Sequence, residues 1–249
     1  MAENHFDEAV AATYDESSAE MSSPEVLGPT VDVLAALARP GVSGNPGRAL
    51  ELAVGTGRVA LPLAARGVRV HGIELSEAML SRLRAKDGAA SVGTTLGDMT
   101  STRVEGSFEL VYLVFNTIGN VTTQEGQVAV FENAAAHLVP GGDFVVELMV
   151  PQLQRVPPGE RFHVFTRTEE HVGIDEYDVA TQRMWSHHHT FTANGGHRTS
   201  VPFRYAWPAE LDLMARLAGM ELEHRWADWH RSPYTSDSAS HVSVWRLPA

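Results

Sequence analysis

Between residues 48 and 150, short apolar runs alternate with longer stretches whose apolar residues recur at helical spacing. Ala49 to Val54 is apolar apart from Glu51 and short enough for a buried strand; Val59, Ala60, Leu61, Leu63 and Ala64 then carry a helical apolar face as far as about Ala65. Val68 to Ile73 alternates, predicting a second strand closed by Glu74, and Ser76 caps a helix through Glu77-Ala78-Met79-Leu80. Ser91 to Leu96 and Phe108 to Val114 read as the third and fourth strands, the latter apolar enough to be central. Gln124 to Leu138 reads as an amphipathic helix, reversed by Pro140-Gly141-Gly142 into a fifth strand, Phe144 to Val150. Strands alternating with helices build an open α/β sheet.

The flanks keep a different rhythm. Phe6, Ala9, Val10 and Tyr14 stand at helical spacing, and Val31 to Ala38 predicts another helix before a Pro/Gly loop, Pro40 to Gly47. After Pro151, Pro157, Pro158 and Gly159 the period changes to two. Phe162–Thr168, Gly173–Val179, Arg183–Thr192 and Arg198–Trp207 read as strands, the last two joined through the hairpin signal Asn194-Gly195-Gly196. Pro208 to Leu217 is a helix with Gly219 beyond it. Met220–Ala227 and His241–Arg246 are closing strands.

The first strand meets its helix on Gly55-Thr56-Gly57. Glycine there permits a left-handed backbone and lets a ligand approach bare main chain. The N–H groups opening the helix face the same place. At the carboxyl end of a strand in an open α/β sheet, this is a nucleotide-type pocket. Gly55, Gly57 and Ala60 also fit the dinucleotide pattern G-x-G-x-x-A, so a nicotinamide-dependent oxidoreductase is one reading. Glu51 favours another, because a carboxylate buried four residues before the first glycine needs donors. A cationic amino-acid ligand, or the turn's own backbone, supplies them. Glu74 follows Gly55 by about 20 residues, where an acid takes ribose hydroxyls.

Composition narrows the partners. The chain has 249 residues, 43% hydrophobic and 20% charged, ordinary for a globular protein with one sizeable core. A net charge of −12 argues against nucleic acid, whose phosphates demand a basic face. Without cysteine there is no disulfide framework and no thiol nucleophile. No apolar run approaches the ~18 residues of a membrane span, and the first ten residues show no signal-peptide pattern, so a cytoplasmic location is expected. Lysine occurs once, at Lys86, which reads as a compositional bias.

The stretch E-L-A-V-G-T-G-R resembles motif I of class I S-adenosylmethionine-dependent methyltransferases, and G-I-E-L-S-E-A-M-L resembles the motif that follows it. H-L-V-P-G-G-D-F-V-V-E is similar to that family's passage into the fifth strand. F-N-T-I-G-N-V resembles the F-x-S-x-G-Y region of bacterial aminosugar N-methyltransferases, and Tyr14-Asp15 a Y-D element of small-molecule enzymes. The resemblance implies a Rossmann-like doubly wound seven-stranded sheet ending in an antiparallel pair. It implies an S-adenosylmethionine-binding core over 41–150 and 207–249, and a lid over 1–40. The antiparallel sheet inserted over 151–206 would be a substrate cover or the interface of a homodimer.

The same resemblance implies cofactor residues. Glu51, Ala53, Gly55, Thr56, Gly57 and Arg58 come from the first motif, and Glu74, Leu75 and Met79 from the second, with Glu74 on both ribose hydroxyls. Asp98 would accept from the adenine amino group and Met99 cover the ring; Phe115, Asn116 and Tyr14 complete the set. Asn116 reads equally as the cap of the following turn, and Tyr14 as a packed residue of a solvated arm. Glu147 reads either as facing the site or as a buried arginine's partner. His187 and His189 share a strand face with Trp185 and Phe191. They are expected as bases in an aromatic acceptor pocket, with Tyr14 as a third; a polar sheet face is the plainer reading, and no nearby acid supports a metal. The expected reaction is methyl transfer to nitrogen or oxygen of a small natural-product molecule, yielding S-adenosylhomocysteine. A non-catalytic S-adenosylmethionine-binding protein is the remaining alternative.

Overall fold

A computed structural model describes residues 6–38, 46–192 and 195–249. Two helices precede the sheet. α1 (Glu8–Ser17) is capped by Asp7, whose carboxylate accepts from Val10 N at 3.0 Å. α2 (Pro24–Leu37) starts seven residues before the expected Val31. Pro24 stands in its first turn, where a missing N–H costs nothing, but Gly28 and Pro29 hide the extension from a reading by propensity. The predicted loop residues Pro40 to Asn45, and Asn194 of the hairpin signal, lie outside the described residues.

The alternating core follows as expected: β1 (Arg48–Leu52), α3 (Ala60–Ala65), β2 (Arg69–Glu74), α4 (Glu77–Arg84), β3 (Val92–Leu96), β4 (Phe108–Leu113) and α5 (Gln124–His137). β5 (Leu138–Met149) differs from expectation. The strand does not begin after Pro140-Gly141-Gly142 but runs through them, with Gly141 at φ +79°. The Gly141 N–H donates to Leu247 O at 2.7 Å, so neighbouring chain, invisible to a local reading, keeps this segment in the sheet.

The insertion supplies β6 (Phe162–Arg167), β7 (His171–Asp178), β8 (Arg183–Thr192) and β9 (Gly195–Arg204), an antiparallel sheet in sequential order. α6 (Pro208–Leu217), β10 (Glu221–Trp226) and β11 (Ser240–Arg246) return the chain to the core. The main sheet runs β10-β11-β5-β4-β1-β2-β3, parallel except where β11 pairs antiparallel with β5 and β10. β1 lies between β2 and β4, so the chain reverses its direction of travel at the β1/β4 crevice, the switch point of an open sheet.

Central strands are buried on both faces. Ala49, Leu110 and Tyr112 face Leu34, Leu63 and Leu80 on one side, while Leu50, Val111, Phe144 and Trp245 face Phe131 and Met214 on the other. Phe131 meets Phe144 and Trp245 edge-on, with centroids 5.1 and 5.2 Å apart. The inserted sheet is fastened to this core by Arg204. Its buried guanidinium donates to Gln127 on α5 (2.6 Å), to Gln182 (3.0 Å) and to Glu210 on α6 (2.7 Å).

Candidate functional site

The turn after β1 bends with three left-handed residues, Ala53 (φ +59°), Gly55 (+57°) and Gly57 (+82°). Gly57 is also crowded: a Cβ there would meet the Leu83 side chain at 3.0 Å. The Gly55 N–H donates to Glu74 Oε2 at 2.9 Å, and Ser76 N–H donates to Glu74 Oε1 at 2.9 Å. One carboxylate thus locks the glycine turn to the end of β2. Burial pushes the Glu74 carboxyl up, while these backbone N–H groups pull it back. A carboxylate accepts about four hydrogen bonds, so with Gly55, Ser76 and Leu75 as backbone donors it keeps capacity for a ligand hydroxyl.

Beneath the turn, the buried Glu51 accepts from the Tyr112 hydroxyl at 2.8 Å. Burial raises its pKa to about 8, against the opposing pull of Tyr112 and Arg58. The donors that Glu51 requires are therefore met in part by a neighbouring strand, and its remaining capacity suits a cation.

α1 closes over the turn. Asp15 accepts from Thr56 Oγ1 at 2.6 Å and pairs with Lys86 Nζ at 2.7 Å, and Lys86 also donates to Thr56 O at 2.9 Å. Burial works against the Asp15 charge, but these bonds hold its carboxyl below the ordinary value. The chain's single lysine is thus the clasp of the N-terminal segment, a role composition could not reveal. Ser76 Oγ donates to Phe6 O at 2.5 Å, and Phe6 meets the Tyr14 ring edge-on at 6.0 Å.

These elements surround a cleft that is open to solvent. Phe6 and Tyr14 form its lid. Ala53, Gly55, Ile73, Glu74, Leu75 and Met79 form one wall, and Gly97, Asp98 and Met99 its far end. Thr117, Asn120 and Val121, from the turn after β4, form the opposite wall. Asp98 Oδ1 accepts from Thr100 N and Oγ1 at 2.8 and 2.7 Å, which fixes its side chain at the tip of β3. Phe6, Ile73, Gly97, Thr117, Asn120 and Val121 were not anticipated as site residues. Asn120 is notable because its Oδ1 is buried without a hydrogen-bond partner. Its only sequence signal was its place in F-N-T-I-G-N-V.

Phe115 and Asn116, at the end of β4, are both left-handed (φ +56° and +60°). Three bonds hold this strained pair, one of them from Asn116 N–H to Glu147 O at 3.2 Å. Glu147 Oε2 accepts from Phe115 N at 2.8 Å, and Asn116 Oδ1 accepts from Met149 N at 2.7 Å. Glu147 therefore braces the β4 tip instead of pairing with an arginine, and Asn116 bridges to β5 instead of capping its own turn. Phe115 is 42% exposed with the Arg58 guanidinium 5.5 Å from its centroid. Asn116 and Gly119 share a smaller cleft with Met184, Phe203 and Tyr205 of the inserted sheet and its continuation.

Of the expected bases, Tyr14 lines the cleft but the two histidines lie elsewhere. Met184 faces the core beside that smaller cleft, and strand alternation turns His187 and His189 to the opposite face of β8. The His187 ring lies within hydrogen-bonding distance of Ser200 Oγ (2.8 Å), Arg198 (3.0 Å) and Glu176 (3.2 Å). His188 shares the Met184 face and stacks on His171, with centroids 5.2 Å apart. Neither His187 nor His189 lines the main cleft.

The residues present fit S-adenosylmethionine: a bare backbone turn, a carboxylate with free lone pairs beside it, and an apolar slot ending in an acid. With its Rossmann-like sheet and closing antiparallel pair, the chain belongs to the S-adenosylmethionine-dependent methyltransferases, which sets aside the oxidoreductase and the non-catalytic readings. Residues 49–142 match the methyltransferase domain family. The CcbJ methyltransferase of Streptomyces caelestis superimposes with a TM-score of 0.83 at 37% identity, covering 96% of each chain. A cypemycin N-terminal methyltransferase of a Streptomyces species is 28% identical over 206 residues, 78% of this chain and 81% of that protein. A dTDP-3-amino-3,6-dideoxy-α-D-glucopyranose N,N-dimethyltransferase of Streptomyces fradiae is 36% identical over 98 residues, 39% of this chain and 38% of that one. The protein is an enzyme that transfers methyl from S-adenosylmethionine to a small molecule, and among the described residues no helix is long and apolar enough to cross a membrane.

Proposed function

We propose that the acceptor atom is an amine nitrogen, on an aminosugar or peptide natural product. The observation that carries this reading is the chemistry of the cleft wall. Its titratable groups, among the described residues, are Tyr14, Glu74 and Asp98. Burial raises the Tyr14 hydroxyl above its ordinary pKa, so it stays protonated and makes a poor base. A neutral amine attacks without a base, whereas a hydroxyl loses a rate factor of roughly 10²–10⁴ without one. The relatives named as acting on peptide N-termini and amino sugars support the same choice.

Bound S-adenosylmethionine supplies a methyl already activated by its sulfonium charge. The chain's residues bind and align. Glu74 takes the ribose hydroxyls, Asp98 the adenine amino group, and Leu75, Met79 and Met99 sandwich the ring. Ala53, Gly55, Thr56, Gly57 and Arg58 receive the amino-acid end above Glu51, with Phe115 and Asn116 at the crevice. Residues 1–40 act as the lid, 41–150 with 207–249 as the core, and 151–206 as the acceptor cover. Alignment of this kind can contribute roughly 7–11 kcal/mol to the barrier.

A tritiated-methyl transfer assay against dTDP-3-amino-3,6-dideoxyglucose, a peptide with a free N-terminus and their hydroxyl counterparts tests the reading. Transfer to amines alone supports it; transfer to a hydroxyl alone refutes it. His187→Ala and His189→Ala should each keep turnover within tenfold, and a larger loss would restore them as bases. The inserted sheet also leaves Phe162, Val164 and Phe165 exposed on the open edge strand β6, an arrangement that proteins usually cover. A second copy of the chain is the proposed cover.

A further inference from the structure

One residue of the cleft lining carries a buried polar atom without a partner. Asn120 lines the cleft, and its Oδ1 is buried with no hydrogen-bond partner among the described residues. Such an acceptor is costly to leave unmatched, by about 1–3 kcal/mol, and its persistence in a binding cleft points to a ligand donor. The donors of the cofactor are already matched on the other wall. Glu74 ends β2, Asp98 follows β3, and Glu51 sits under the turn after β1. Asn120 instead belongs to the short turn after β4, across the switch point. That turn is held against the inserted sheet: Gln127 Nε2 donates to both Ile118 O (3.2 Å) and Arg204 O (3.0 Å), and Gly119 packs against Phe203. Asn120 therefore stands between the cofactor wall and the proposed acceptor cover.

We infer that Asn120 is an acceptor-binding residue whose side-chain carbonyl receives an N–H of the amine to be methylated. This rests on the N-methylation reading above. The nitrogen lone pair forms the new N–C bond as the S–C electron pair returns to sulfur. The N–H facing Asn120 stays on nitrogen throughout, and the ammonium formed loses its proton to water afterwards. An amide oxygen cannot take that proton. It orients the lone pair and stabilises the charge that develops on nitrogen, which suits an amine and gives a hydroxyl no base.

Sinefungin, which carries a primary amine in place of the transferable methyl, and S-adenosylhomocysteine, which carries nothing there, test this by calorimetry. The wild type should prefer sinefungin by about tenfold, the equivalent of one hydrogen bond to a charged group. Asn120→Leu should bring the two affinities within about twofold while leaving that for S-adenosylhomocysteine within threefold. Asn120→Asp, which keeps the acceptor oxygen, should retain the preference. If Asn120→Leu does not fold, Asn120→Ala carries the same comparison. An undiminished preference in the Leu or Ala variant, no preference in the wild type, or a larger loss of S-adenosylhomocysteine binding would overturn the inference, the last by assigning the oxygen to the cofactor. Methylation of hydroxyls alone in the acceptor panel would instead sink the N-methylation reading, whatever sinefungin does.

Discussion

Two buried carboxylates in adjacent strands do different work because their partners differ. Glu74 has backbone donors at the cleft wall; Glu51, deeper in the core, has the Tyr112 hydroxyl and the Ala60 backbone. Glu74→Gln keeps the shape but weakens the ribose contacts, each worth roughly 1.5–3 kcal/mol, so S-adenosylhomocysteine affinity should fall at least tenfold by calorimetry. Glu51 predicts a pH effect. Its folded pKa of about 8 stands above the ordinary glutamate value of 4.5, so between those values the folded state holds a proton that the unfolded state has shed. Stability contributed by this group is present at low pH and is lost as pH rises through that window. Glu51→Gln, which cannot ionise, should gain on the wild type by up to a few kcal/mol between pH 5 and pH 8.5, read by chemical denaturation. A gap that stays constant across that range would show Glu51 to be ionised throughout.

At the level of elements, the strands and helices of the α/β core were legible because each had its own period and punctuation. Ser76 caps α4 where expected, and Pro208 opens α6. The failures came where distant chain overrode local preference, as in β5 carried through Pro140-Gly141-Gly142 by Leu247. The join between insertion and core was equally invisible, since Arg204, Gln127, Gln182 and Glu210 are scattered along the sequence. Removing one partner of a buried pair strands the other, at about 3 kcal/mol. Arg204→Ala should therefore lower stability by that order in denaturant unfolding. A change below 0.5 kcal/mol would mean the insertion is held by packing alone.

For the whole molecule, the exposed Phe162, Val164 and Phe165 on the open β6 edge are what the proposed self-association rests on. Sedimentation velocity should show a dimer that Phe162→Glu with Val164→Glu converts to a monomer while S-adenosylhomocysteine binding survives. A monomeric wild type would leave the inserted sheet as an acceptor cover only.

The sequence alone determined the cofactor side of this enzyme. Glycines, an acid at the next strand end and a capped helix are local features, read from spacing because backbone geometry and periodicity are local physics. Tertiary structure decided what surrounds the rest of the cleft. It turned His187 and His189 away from the Met184 face by strand parity, made Lys86 the clasp between α1 and the glycine turn, and left Asn120 Oδ1 buried without a partner in a residue that lines the cleft. Each of those outcomes depends on which residues far apart in the chain come to lie side by side, and no local pattern carries that.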